Sequence, residues 1–168
     1  FDRRDFHFGV VSDLVNAYVA FPDHFTDEQL NIPESGNGIP DILDEARWGI
    51  DVWRKAQEPD GRVATWIEAT SHPKTPNPSS DHQPYYLGLA TRQSSLHYAA
   101  HAALLARGLI LAGATEAAAV YIASARAAFA FGARTDVRVG FGLSGNSSHY
   151  VRWDEPEVVG TKYLLYAA

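Results

Sequence analysis

The chain has 168 residues, with 14 Lys+Arg against 20 Asp+Glu, a net charge of −6, and 46% hydrophobic and 12% aromatic residues; this balance excludes disorder and collagen-like sequence and suffices to bury one core. An acidic balance without a Lys/Arg cluster argues against nucleic acid, because phosphate binding needs concentrated positive charge, and apolar runs broken by Arg107, Glu116 and Arg126 are too short for a membrane span. With no cysteine there is no disulfide framework, thiol nucleophile or Cys-ligated zinc; with no methionine and no basic-then-apolar leader, the chain reads as an excised segment with essential groups outside it.

From His7, the residues Val10, Val11, Leu14, Val15 and Tyr18 recur at three- and four-residue spacing, which predicts a helix with one buried face. Pro22 stops it near Phe21, since the residue before a proline avoids α geometry. A turn-rich loop, Asn31-Ile32-Pro33-Glu34-Ser35-Gly36-Asn37-Gly38, follows. Pro40 then sits in the first turn of a second helix, with Asp41, Asp44 and Glu45 at the positive end of its dipole. Its apolar stripe is Ile39, Ile42, Leu43, Ala46, Ile50 and Trp53, with Asp51, Arg54 and Lys55 facing the other way. Glu58-Pro59-Asp60-Gly61 ends that helix in a turn, and residues 63–69 alternate too weakly to separate strand from extended loop. Residues 70–91, rich in proline and serine and without periodicity, read as a long loop of the kind that is commonly functional. From 99 to 133, sixteen of thirty-five residues are alanine, the best helix former. Gly113, with Thr115 as a cap, splits this stretch into an antiparallel helical hairpin, and Asp154-Glu155-Pro156 starts a further helix. About five helices and no convincing sheet make the chain mainly α.

Several side-chain groups have the composition of a site. His97 and His101, four apart on a helix, match two metal ligands, but the Glu that follows the first His in zinc hydrolases is absent, and two packed or surface histidines are the simpler reading. Gly142-Leu143-Ser144-Gly145-Asn146 is an incomplete nucleophile elbow that reads as a loop, and Asn146-Ser147-Ser148 is a formal glycosylation acceptor. Glu34, Asn37, Asp41, Asp44 and Glu45 offer hard oxygen donors for calcium, although capping and dipole roles explain them without a metal. Trp66, Glu68, His72, Tyr85 and Tyr86 flank the long loop and combine aromatic faces with polar tips, which suits either a sugar-binding cleft or a loop staple.

The segment Leu30-Asn31-Ile32-Pro33-Glu34-Ser35-Gly36-Asn37-Gly38-Ile39-Pro40-Asp41-Ile42-Leu43-Asp44-Glu45-Ala46-Arg47-Trp48 resembles the signature block of family 9 glycoside hydrolases, the endoglucanase-type cellulases. Phe21-Pro22-Asp23-His24-Phe25 resembles the preceding helix end of that family. Gln57 with Asp60-Gly61-Arg62-Val63 resembles its Gln-to-Asp-Gly-Gly-Val turn, Arg62 replacing the second Gly, and residues 91–107 resemble the Ala-rich helix that follows. The resemblance implies a partial (α/α)6 toroid of antiparallel helix pairs with long loops, so that residues 1–168 are a fragment of one catalytic domain, its N-terminal part, truncated at both ends. It also implies an inverting β-glycoside hydrolase of the endoglucanase or cellulase type, in which an Asp of an Asp-Ala-Gly-Asp motif is the general base and a Glu near the C-terminus the general acid, one ionised and one raised in pKa.

By spacing, the Asp motif is expected immediately upstream of Phe1 and the Glu beyond Ala168, so no catalytic residue is assigned within the chain and the isolated segment is expected to be inactive. Asp2 and Asp5 copy the Asp-x-x-Asp spacing and are the second candidate, with Arg3 and Arg4 as salt-bridge partners near the base. Trp66-Ile67-Glu68 and Ser71-His72-Pro73 depart from the Tyr-His-Lys group of common cellulases, which widens the expected ligand to a β-glucan-like or glucosamine-containing carbohydrate. Trp66, Glu68, His72 and Tyr86 are the expected substrate-binding residues, for stacking and hydrogen bonding; no cofactor or metal is assigned. A polymeric substrate favours a secreted or periplasmic location. The alternative is a non-catalytic carbohydrate-binding or structural helical module.

Overall fold

The apolar stripe of the second predicted helix organises the molecule. In a computed structural model, which describes residues 2–69, 74 and 77–134, this helix, α2, runs Asp41–Lys55. Ile42, Leu43, Ala46, Ile50 and Trp53 within it, and Ile39 just before it, are all buried, as the 3.6-residue period of the stripe requires. Pro40 is the residue just before the helix instead of its first helical residue; its fixed φ suits that junction equally well. α1, Arg4–Ala20, starts three residues earlier than the apolar period indicates and ends before a short 3₁₀ turn at Pro22–His24. It lays Phe8, Val11, Val15 and Tyr18 against α2.

α3, Arg92–Leu111, and α4, Thr115–Gly132, form the predicted helical hairpin and pack on each other more extensively than any other pair. Gly113 adopts φ +81° between them, a left-handed conformation that ends α3 without a Cβ penalty. Thr115 is the first helical residue, and Ala114, not Thr115, occupies the cap position. α3 also begins seven residues before the Ala-rich run, because Thr91 and Ser94 form a reciprocal cap. The Thr91 hydroxyl accepts from the Ser94 N–H at 3.0 Å while the Thr91 N–H donates to the Ser94 hydroxyl at 2.8 Å.

The expectation of no sheet is corrected. β1 (Asp2–Arg3), β2 (Trp66–Ala69) and β3 (Tyr85–Leu87) form an antiparallel three-stranded sheet in the order β1-β2-β3. Part of the stretch read as a long loop therefore folds back as β3, and residues 78–80 form a 3₁₀ turn. These strands are two to four residues long, too short for a period-2 pattern to emerge from sequence. With four α-helices among the described residues, the chain remains mainly α, arranged as helix pairs of a partial toroid. No helix among the described residues is long and apolar enough to cross a membrane. The fifth predicted helix, the Gly142 to Asn146 segment and the glycosylation acceptor lie outside the described residues.

The approach to β2 is fixed by buried hydroxyls at the start of α3. Ser95 Oγ accepts from the Val63 N–H at 3.0 Å and Ser94 Oγ donates to the Val63 carbonyl at 2.7 Å. Replacing Ser95 by Ala leaves the buried Val63 N–H without its acceptor, and chemical denaturation is expected to register a loss of about 1–3 kcal/mol.

Candidate functional site

Among the described residues, two regions carry polar and aromatic side chains outside the core. The first is the sheet. Thr65 Oγ1 donates to the Leu89 carbonyl at 2.6 Å and the Gly88 N–H donates to the Trp66 carbonyl at 2.7 Å, fixing a register in which Ile67 pairs with Leu87, Glu68 with Tyr86 and Ala69 with Tyr85. Ile67 and Leu87 pack against the core. Side chains alternate along a strand, so Trp66 and Tyr86, both half-buried, lie on the opposite face of the sheet. Three of the four expected binding residues are thus brought together, Glu68 through its backbone pairing with Tyr86. The fourth, His72, lies outside the described residues. At the far end of β3, Tyr85 is half-exposed and its hydroxyl donates to Asp81 at 2.6 Å. That bond, with those from Gln83, holds the Asp81 carboxyl below the ordinary carboxylate range. β1 pairs Asp2 with Ile67 and Arg3 with Trp66. The Asp-x-x-Asp pair therefore spans the junction of β1 and α1, with Asp5 in the first turn of the helix.

The second region is the outward face of α2, where a cleft of about 520 Å³ is lined by His7, Glu34, Asp44, Arg47, Trp48 and Asp51, among others. Asp44 is buried, accepts from Asn37 Nδ2 at 3.0 Å and pairs with Arg47. Burial pushes its carboxyl above the ordinary range despite those two partners. Asp51 accepts from Arg54 at 2.8 Å and from the Tyr121 hydroxyl at 2.7 Å. Burial pushes the Asp51 carboxyl up, but the hydrogen bonds from Arg54 and Tyr121 and the charges of Arg54 and Lys55 outweigh it, leaving it below the ordinary range. Tyr121 is in turn pushed up to about 12 by burial and by Asp51.

Because the Asp51 pKa is lower folded than unfolded, its stabilising contribution is complete above the unfolded value of about 4 and is lost as pH falls through the folded value. Thermal unfolding is expected to show the difference between wild type and Asp51→Asn shrinking below about pH 4, the side on which the carboxylate protonates.

Three residues of the acid-rich group, Asn37, Asp41 and Asp44, are engaged in hydrogen bonds within the loop and the start of α2. Asp41 is fully buried and accepts from the Glu28 and Leu30 N–H groups and from the Ser35 hydroxyl at 3.1 Å. Asp27, unremarked in the sequence, accepts from the Gly36 and Gly38 N–H groups at 2.7 and 2.6 Å. Asn37 accepts from the Ile39 N–H at 2.8 Å while donating to Asp44. Among the described residues no group of three or more His, Cys, Asp or Glu is arranged to hold a metal ion. His97 and His101 sit edge to face at 4.6 Å with Phe8 against both rings, and His101 Nδ1 lies 2.7 Å from the His97 carbonyl oxygen. They are packed against the core.

No protein-family model matches the chain. Among curated proteins, it is 37% identical over 91 residues to the cellulose 1,4-beta-cellobiosidase of Acetivibrio thermocellus, a match covering 49% of this chain and 10% of that protein. It is 41% identical over 51 residues to a xyloglucan-specific endo-beta-1,4-glucanase of Bacteroides ovatus, covering 30% and 9%. Among solved structures, a metagenome-derived glycoside hydrolase family 9 endoglucanase superposes on 99% of the chain with a TM-score of 0.79 at 29% identity. Over nearly its whole length the chain has the fold of glycoside hydrolase family 9 endoglucanases. A family 9 structure from Bacteroides ovatus, at TM-score 0.72 and 20% identity, repeats the fold. The chain spans 30% of the length of the first of these structures and about a tenth of the cellobiosidase. In this chain the segment that resembles the family 9 signature block is a clamp. Its carboxylates hold a loop onto the start of α2, and the turn at Gln57 and Gly61 is tied to α4 through Gln57 Nε2, which donates to the Gly61 and Ser124 carbonyls, each at 3.0 Å.

Proposed function

We propose that the parent protein is an inverting β-glycoside hydrolase acting on a β-linked glucan or glucosamine chain, and that residues 1–168 form part of one catalytic domain, including a sugar-binding face on β2 and β3. The observation that carries this reading is the superposition of nearly the whole chain on a family 9 endoglucanase. The relatives named above for cellulose and xyloglucan support a β-1,4-glucan as the substrate class. In this reading the Trp66 indole on β2 supplies a flat apolar platform and Tyr86 on β3 an aromatic ring with a hydroxyl, while Glu68 and His72 are proposed as hydrogen-bonding groups for sugar hydroxyls. The reaction needs two carboxyls on opposite sides of the scissile bond, a base that activates water and an acid that protonates the leaving oxygen.

The general base is assigned upstream of Phe1 and the general acid beyond Ala168. A second placement of the base is favoured by one observation: β1 pairs directly with the strand that carries Trp66, and Asp5 follows in the first turn of α1. In the full-length protein, Asp5→Asn is expected to retain activity on the first placement; a loss of about 10³-fold or more would move the base to Asp5.

Purified full-length protein should release reducing ends from soluble β-1,4-glucan or from chitosan, and residues 1–168 alone should release none. Turnover by the isolated segment would put the reacting carboxyls inside it. Sugar binding without turnover by the full-length protein would favour a carbohydrate-binding module.

A further inference from the structure

Gly88 falls opposite Trp66 where the β2–β3 ladder continues, and its N–H donates to the Trp66 carbonyl at 2.7 Å. The indole of Trp66 lies over this residue. A Cβ built on Gly88 would sit 2.7 Å from Trp66 Cδ2 and 2.9 Å from Cε2, the two atoms shared by the fused rings, with Cε3 at 3.1 Å. Real Cβ atoms do not approach an aromatic ring that closely, so any other residue here must lift or rotate the indole. Gly88 is itself buried, while Trp66 remains partly exposed.

We propose that Gly88 is a positioning residue for sugar binding: by omitting a side chain opposite Trp66, it lets the indole lie flat along β3 on the face shared with Tyr86, so that the two aromatic groups present one continuous platform to a β-linked glycan chain. The inference rests on the sugar-binding reading of the sheet and adds to it the residue that sets the tilt of the ring. Stacking on a pyranose requires a ring parallel to the sugar face, so a tilted indole keeps its apolar area and loses the contact. The competing role for the pair is purely structural, an aromatic ring covering a glycine on an edge strand of the described sheet and stabilising it there.

The test uses the full-length protein with cellohexaose as probe, reading the dissociation constant by calorimetry and the melting temperature in parallel. Trp66→Ala is expected to weaken binding about tenfold or more, and Gly88→Ala to weaken it by a similar factor. In the Trp66→Ala background, Gly88→Ala should change binding by less than about twofold, because the group it displaces is gone. Unchanged affinity in Gly88→Ala alongside weakened affinity in Trp66→Ala would overturn the positioning role and leave the sugar-binding reading standing. Equal losses from Gly88→Ala in both backgrounds would also overturn it, by showing an effect that does not pass through the indole. Unchanged affinity in Trp66→Ala would remove the platform, and the inference with it. Should Gly88→Ala fail to fold, recovery of folding in the Trp66→Ala background would identify the ring as the group that needs the space, whereas failure in both would overturn the proposal.

Discussion

Gly61→Ala is expected to destabilise the protein by about 4 kcal/mol or more, enough to abolish most of a typical domain's stability. Two independent costs combine at this position. The backbone adopts φ +92°, which lies outside the comfortable range of an L-residue with a side chain and costs about 1 kcal/mol or more by itself. The added methyl would also collide with the Ala127 carbonyl oxygen and lie 2.6 Å from the carbonyl carbon. This is backbone in the middle of α4, which cannot move aside as a flexible side chain can. The turn would have to lift off the helix, taking with it the two hydrogen bonds that Gln57 Nε2 donates to Gly61 and Ser124 and the bond that Ser124 Oγ donates to Gln57 Oε1 at 2.6 Å. Urea unfolding of the full-length variant, or its failure to accumulate as folded protein, reads the outcome. Near-wild-type stability would mean that the turn does not press on α4.

The second large effect is expected at Asp41. Its carboxylate is fully buried and receives two backbone N–H groups and one hydroxyl from the loop that precedes α2. Asp41→Ala removes the acceptor from all three at once, and unsatisfied donors cost about 1–3 kcal/mol each where they remain out of water. The loop can partly relax into solvent, since Glu28 and Leu30 are exposed, so the expected loss is about 3 kcal/mol, below the sum of the separate terms. Asp41→Asn keeps one acceptor oxygen and should lose less. Hydrogen exchange should show faster exchange concentrated at the amides of Glu28 and Leu30; exchange unchanged there would contradict the clamp.

Much of this architecture was legible because it depends on periodicity and on strong breakers. The stripe from Ile39 to Trp53 specified the buried face of α2, and Pro22 and Gly113 marked real helix ends. The start of α3 was legible in the family resemblance over residues 91–107 but not in composition or capping pattern, because the reciprocal Thr91 and Ser94 cap uses Ser where the common pattern has Glu or Gln. The sheet was hidden for a different reason: β3 is three residues in a proline-rich stretch, and its pairing with β2 is settled by contacts more than twenty residues apart, such as Thr65 with Leu89.

Trp66 and Tyr86 were singled out in the sequence by their chemistry, and the structure places them on one face of the sheet, whereas the contact of Gly88 with Trp66 was not readable, since a glycine in an apparent loop carries no sign of which ring will lie over it. Asp27 was missed because a carboxylate that binds backbone N–H groups has no spacing signature. The polar line of Asp44, Arg47, Asp51 and Arg54 was partly readable from its i,i+3 spacing, but the long-range partner Tyr121 was not.

The central claim, that the parent protein cleaves β-linked glycan with inversion, is tested most directly by proton NMR of the first products formed from cello-oligosaccharide by the full-length protein. Attack of water from the face opposite the leaving group predicts that the α-anomer appears first and then mutarotates towards equilibrium. Initial release of the β-anomer, or no cleavage of cello-oligosaccharide or chitosan oligosaccharide at all, would contradict the account.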